Sequence, residues 1–212
     1  MIVGSGLVAS ALDDLYSVVQ YAAGVSNSKC DDADEFTRDK ERLASHLHCP
    51  GLFCYFSTCS DGETPYVQHK RECEKMVQER GDYLICRLPI VAGRTSNPHT
   101  LLNYLHSRIR RSEKFDLMPE ARRNIIDVRD AASIVRWLFR TGAKDEIVNV
   151  AAPFDYPMLA VVGAFERLIG KSAIFRKHPG GGDKRIDTSR IKDCPIYWGD
   201  EYLDDVLAHI YG

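Results

Sequence analysis

An α/β fold, in which helices wind on both faces of a parallel sheet, is what this sequence predicts. Three observations lead to it. Short apolar runs alternate with runs of helical periodicity along the first half of the chain. Gly4-Ser5-Gly6-Leu7-Val8-Ala9 forms a glycine turn directly between the first strand and the first helix. Pro65 and Gly81 bracket a long helix as its start and stop signals.

The elements follow in order. Residues 1–3 are a short apolar strand. Leu7, Val8, Ala11, Leu12 and Leu15 recur at helical spacing. Residues 17–23 read as a buried strand that ends in the loop 24–28. A charged helix over 34–47 turns Phe36, Leu43 and Leu47 inward, and 51–56 is the next apolar strand. The helix 66–80 carries Val67, Cys73, Met76 and Val77 on one side, and 83–87 is a strand again. Strand and helix in strict alternation imply parallel strands covered on both faces. The second half is mixed. Helices are expected at 100–111, at about 130–140 with Asp130 as N-cap, at 158–169 before Gly170, and at 202–210. Short strands are expected at 124–128 and 146–150.

Composition narrows the function classes. The 212 residues are 44% hydrophobic and 27% charged, ordinary values for a globular chain. Lys plus Arg is 28 against 30 Asp plus Glu, a net charge of -2, and no basic stripe is present, so nucleic acid is not an expected partner. Arg110-Arg111 reads as a solvated pair. No apolar run approaches the roughly 18 residues of a membrane span, and Met1 already begins the first strand, so a cytoplasmic location is expected. Cysteines number seven, an odd count without a C-x-x-C pair, which points to a reducing compartment and not to a zinc site or disulfide framework. His46 and His48 read as a helix end, so no metal is expected.

The glycine turn carries the first chemistry. Gly4-x-Gly6-x-x-Ala9 fits G-x-G-x-x-[GA]. Its first glycine allows the tight turn, its second lets a pyrophosphate approach the backbone, and the small third residue lets helix and strand pack closely. The helix N-terminus then offers N–H groups to phosphates. The acidic residue that usually follows about 20 residues on, to hold the ribose, is missing. The next strand ends instead in Ala22-Ala23-Gly24.

Tyr66 and Lys70 form Y-x-x-x-K at the start of a helix, four apart and so on one face. A nearby ammonium favours the phenolate and lowers a tyrosine pKa from about 10, which suits acid/base work beside a carbinol or ketone. Thr58, at the mouth of the preceding strand, could hydrogen-bond the same oxygen. His69 reads as a surface residue of that helix.

In this order the motifs resemble the extended short-chain dehydrogenase/reductase family, the NAD-dependent epimerases and dehydratases of nucleotide sugars. Phe56-Ser57-Thr58 resembles the strand end holding its catalytic Ser or Thr. Arg87-Leu88-Pro89-Ile90-Val91-Ala92-Gly93 is similar to its R-x-x-x-x-x-G segment. Arg123 to Asp130 is similar to R-x-x-x-x-V-x-D, and Asn149-Val150-Ala151 resembles the strand opening the last lobe. Pro179-Gly180-Gly181-Gly182-Asp183-Lys184-Arg185-Ile186-Asp187 looks like the P-G-x-D-x-R-Y-x-x-D loop of the 4,6-dehydratases, with an extra glycine and with Ile186 at the Tyr position.

The resemblance implies a Rossmann-like doubly wound parallel sheet, truncated at one edge where the family's second and third strands would lie, with a small C-terminal substrate lobe. Residues 1–95 would form the truncated nucleotide-binding core. Residues 96–212 would combine returning core elements, about 122–150, with the lobe. It implies Thr58, Tyr66 and Lys70 as the catalytic set. Gly4, Gly6, Leu7, Ala22, Ala23, Gly24 and Lys70 would hold NAD or NADP, and Thr58, Asn97 and Arg185 would contact the nucleotide sugar. The Asp-Glu pair that dehydratases carry after the catalytic Thr is replaced by Cys59-Ser60, and only seven residues separate Thr58 from Tyr66. Epimerisation or keto-reduction is therefore the expected reaction. The alternative is a non-catalytic sugar-nucleotide-binding or regulatory subunit. Family members pair through the corresponding helices, so a homodimer through 34–47 and 66–80 is expected.

Overall fold

The structure is a computed structural model that describes residues 1–182 and 185–212. The chain runs through β1 (Ile2–Val3), α1 (Leu7–Ala11), β2 (Val18–Tyr21), α2 (Ala33–His46), β3 (Leu52–Thr58), α3 (Pro65–Arg80), β4 (Tyr83–Leu88) and β5 (Ile90–Ala92). It continues with α4 (Leu101–Arg110), β6 (Phe115–Leu117), β7 (Arg122–Arg123), β8 (Ile125–Asp127), α5 (Val128–Arg140) and β9 (Glu146–Asn149). β10 (Tyr156–Pro157), α6 (Met158–Ile169), β11 (Phe175–Lys177), a 3-10 turn at Ser189–Ile191 and α7 (Tyr202–Tyr211) complete it.

The main sheet has the order β1-β2-β3-β4-β9, with every pairing parallel. A full doubly wound sheet has two further strands outside its first. Here β1 is itself the edge, and β2, the next strand along the chain, pairs with it directly, Ile2 opposite Gln20. The truncation expected from the sequence is thus a missing sheet edge.

Strand alternation sorts the core into two layers. Val19, Tyr21, Phe53, Tyr55 and Ile85 face Leu43 of α2 and Cys73 and Val77 of α3. Cys54, Phe56, Leu84, Cys86 and Leu88 face the other way, against Val8 of α1 and Ile134, Val135 and Leu138 of α5. A third cluster joins α4, α6 and α7 around Leu105, Ile109, Val161, Phe165 and Leu207. Fully burying side chains of this size contributes about 1.5–3 kcal/mol each, which is why the helices stay on the sheet.

Local signals set the helix ends. Thr64 caps α3 by accepting from the Val67 N–H at 3.3 Å, Pro65 occupies its first turn, and Gly81 ends it at φ 74°. Asp32 caps α2 through the Asp34 and Glu35 N–H groups. The α5 cap differs from expectation. Asp127 takes it, accepting from the Arg129 N–H at 2.7 Å, so the cap lies three residues before Asp130 and the helix begins at Val128. Asp130 sits in the first turn and accepts instead from the Tyr202 phenol at 2.6 Å.

Candidate active site

β1 ends at the glycine turn. Gly4 has φ 126°, and a Cβ there would stand 2.6 Å from the Ala22 carbonyl oxygen, so only glycine lets the turn press against the end of β2. Gly6 differs. It is the N-cap of α1 at φ -79°, and a Cβ on it would meet nothing within 4 Å. The fold itself does not require glycine there. Leu7 packs beside Gly93, where a Cβ would lie 2.5 Å from its Cδ1. α1 is only five residues long, so its dipole is a small one.

Across this turn lie the ends of β2 and β3. Thr58 is the last residue of β3 and is buried. Its hydroxyl accepts from the Ser60 N–H at 3.0 Å, and the Tyr66 phenol lies close enough to feel it. Tyr66, in the first turn of α3, is 7% exposed. Burial lifts its pKa above the ordinary value, while the Thr58 hydroxyl and the Arg71 charge pull it back. Arg71 is thus a cation that acts on Tyr66. Lys70 does lie one turn on, but its ammonium turns to the sheet, donating to the Tyr55 hydroxyl at 3.3 Å and the Phe56 carbonyl at 3.2 Å. It also reaches the β2 turn: a Cβ on Gly24 would stand 2.9 Å from its Nζ.

The structure thus brings together Gly4, Ala22 to Gly24, Thr58, Tyr66 and Lys70 at the carboxyl ends of the strands, with Gly6 and Leu7 opening α1 beside them. Ligands bind at these ends in such sheets. Asn97 and Arg185 are not tied into that cluster. The Asn97 side chain closes a local turn, accepting from the His99 N–H at 2.9 Å. Arg185 is exposed. Two residues on, Asp187 offers its carbonyl to Asn149 at 3.0 Å, which ties that segment to the carboxyl end of β9. Asp183 and Lys184 of the same loop lie outside the described residues. A hollow of about 410 Å³ opens at the opposite ends of the strands, between Asp13, Tyr16, Val18 and Arg136.

Two of the buried polar groups that escaped sequence reasoning lie on α3. Glu74, 2% exposed, lies one turn beyond Lys70. It accepts from Ser57 at 2.5 Å, from Arg87 at 2.9 and 2.6 Å, and from Arg71. Arg71 donates on to the Thr58 and Ser60 carbonyls at 3.1 and 2.9 Å, so this network fixes the strand end that presents Thr58. The spacing Tyr66, Lys70, Glu74, every fourth residue on one helix face, was the available signal.

His69 is the second, and the expectation of a surface residue is corrected. It is 2% exposed, hydrogen-bonded to buried Asp39 at 2.8 Å and stacked on Phe36 at 4.4 Å. Its Nε2 lies 3.7 Å from the Cys73 sulfur, and the donor atoms of Asp39, His69 and Cys73 fall within 4.8 Å of one another.

No family model matches the sequence, and no curated protein matches it. Solved structures do match the fold. UDP-glucuronic acid 4-epimerase from Bacillus cereus, in complex with UDP-glucuronic acid and NAD, superposes with a TM-score of 0.73 at 17% identity, over 90% of this chain and 73% of that one. dTDP-glucose 4,6-dehydratase from Bacillus anthracis, in complex with NAD, gives 0.68 at 17% over 90% and 71%. RMD from Pseudomonas aeruginosa, complexed with NADPH, gives 0.72 at 16% over 92% and 80%. The chain carries the Rossmann-like fold of these NAD- and NADPH-bound structures, as the motif resemblance implied, on a sheet that, among the described residues, stops at its first strand.

Proposed function

We propose that the protein is an NAD(P)-dependent epimerase or keto-reductase acting on a nucleotide-linked sugar. The observation that carries this reading is that Thr58 and Tyr66 lie buried together at the carboxyl end of β3, with Lys70 one turn away and the Gly4 turn across from them. Residues 1–95 would then supply the cofactor turn and the acid/base group, and 96–212 the returning core elements and the substrate lobe.

The residues present suit the pyrophosphate and nicotinamide end of a dinucleotide. Gly6 offers open backbone, Ala22 to Gly24 a small-residue wall, and Lys70 a buried cation beside that wall. The adenine-ribose end has no counterpart in this chain, since β1 is the edge. A bound nicotinamide supplies hydride exchange at a sugar carbon. Tyr66 gives or takes the proton of the reacting hydroxyl, Thr58 orients that oxygen, and the Glu74–Arg71 pair holds Thr58 in register. Cys59 and Ser60, in place of an acidic pair, favour epimerisation or reduction over dehydration.

Tyr66→Phe tests the reading. It should abolish turnover of a nucleotide sugar and leave the melting temperature within about 2 °C, because the ring stays and one partly satisfied hydroxyl goes. Turnover near the wild-type rate removes Tyr66 from the chemistry. A second reading, a non-catalytic sugar-nucleotide binder or regulatory subunit, is favoured by the missing edge and the five-residue α1. It requires a nucleotide sugar to bind without cofactor and Arg185→Ala to weaken that binding.

A further inference from the structure

Asp39 is a buried carboxylate on the inner face of α2, 4% exposed, where packing alone calls for an apolar residue. Three donors converge on it: His69 Nε2 at 2.8 Å, the Val25 N–H at 3.0 Å and the Tyr21 hydroxyl at 3.3 Å. Lys70, also 4% exposed, has the mirror problem, since its hydrogen bonds go to two neutral oxygens. An ammonium buried without a counter-charge is costly. Glu74 is taken by two arginines. The two buried charges border the same space beside Gly24 without touching. A Cβ on Gly24 would stand 2.9 Å from Lys70 Nζ and 3.4 Å from Asp39 Oδ2.

We infer that Asp39, braced by His69, is the counter-ion that keeps the Lys70 ammonium charged and seated against the Gly24 turn, making Asp39 a positioning residue of the site. This rests on the proposed function for its catalytic meaning but not for its geometry. The electrostatics agree in direction. Burial pushes the Lys70 pKa down, and Asp39 is the largest influence opposing it. Burial alone would raise Asp39, yet the His69 and Val25 hydrogen bonds and the Lys70 charge hold it below the ordinary carboxylate value. The other groups facing this pair are Tyr21 from β2, Tyr55 from β3, and Tyr66, Cys73 and Glu74 on α3. None of the tyrosines or Cys73 brings an anion near neutrality, because burial raises each of them. The hydrogen bond between His69 and Asp39 already engages two of the three atoms that could ligate a cation, and Lys70 adjoins them.

The test is an NMR titration of the whole protein, without cofactor, carrying labelled lysine side chains. Lys70 is assigned by the loss of its signal in Lys70→Arg. Asp39→Asn should lower the proton affinity of Lys70 tenfold or more, about one pH unit. His69→Gln, which keeps an N–H donor, should lower it less than threefold. Unchanged Lys70 titration in Asp39→Asn overturns the inference. If Asp39→Asn does not fold, the reciprocal measurement decides. The Asp39 carboxyl in Lys70→Met should gain at least tenfold in proton affinity, as linkage demands, and an unmoved carboxyl overturns the inference. NAD and NADP titrations on the same samples separate the two claims. Coupling without dinucleotide binding keeps the counter-ion and sinks the enzyme reading, and binding without coupling does the reverse.

Discussion

Glu74→Gln puts the largest electrostatic load on the fewest atoms. Gln keeps the volume and one acceptor oxygen but removes the charge on which Ser57, Arg71 and Arg87 converge. The Glu74 side chain is 3% exposed, and the Arg71 and Arg87 side chains are 29% and 28% exposed. Breaking a buried ion pair by removing one partner costs about 3–5 kcal/mol. Both arginines here keep some contact with water and Gln keeps a hydrogen bond, so about 2–4 kcal/mol is expected. For a chain of this size that lowers the melting temperature by roughly 4–16 °C. The pH dependence gives a second check. Burial would raise the Glu74 pKa, but the Arg87 and Ser57 hydrogen bonds, with the arginine charges, depress it below the ordinary value. A depressed carboxylate contributes stability that is fully present above its unfolded value, about 4.3, and is lost as pH falls through its folded value. Denaturant melts of wild type and variant should therefore differ most at neutral pH and converge in acid. A difference under about 1 kcal/mol at pH 7 refutes the network as a main support of the Thr58 strand end, and a difference unchanged at pH 3 refutes its ionic character.

The two glycines of the turn should behave oppositely. Gly4→Ala forces a side chain onto φ 126° and against the Ala22 carbonyl, so it should cost about 2 kcal/mol or more in a denaturant melt. Gly6→Ala meets no atom of the protein and should stay within about 1 kcal/mol of wild type. The same substitution should weaken NAD or NADP binding at least tenfold, measured by calorimetry, and equal affinity would mean that no phosphate approaches this backbone.

Much of the fold was legible because it rests on local periodicity. β3 and β4 open on the apolar runs 52–56 and 83–86, and α3 announces itself through Pro65 and Gly81. The short ladders were not. β7 pairs with β10 over two residues, Arg123 opposite Tyr156, too short for any period and joined only by the tertiary fold. The same holds for β5 with β8 and β6 with β11. At the site, Thr58, Tyr66 and Lys70 could be named from spacing, but the direction of the Lys70 ammonium could not. Helical spacing fixes which face a side chain leaves from, whereas Tyr55 and Phe56 of β3 decide where it ends. His69 looked like a surface residue because its polarity matched its neighbours Gln68 and Lys70. Its partner Asp39 lies thirty residues away on another helix. For the α5 cap, Asp127 falls inside the strand 124–128 expected from the sequence, and only the fold shows that this strand ends there and the helix begins.

Thermal unfolding of the protein, alone and with NAD, NADP and their reduced forms, tests the central claim most directly. A ligand that binds only the folded state at a hundred times its Kd adds about 2.7 kcal/mol of stability. For this chain that corresponds to a rise of roughly 5–11 °C with the preferred cofactor. The account predicts that rise for wild type and its loss in Gly6→Ala. No rise with any of the four at millimolar concentration would contradict it, and would mean that a sheet ending at β1 does not hold a dinucleotide by itself.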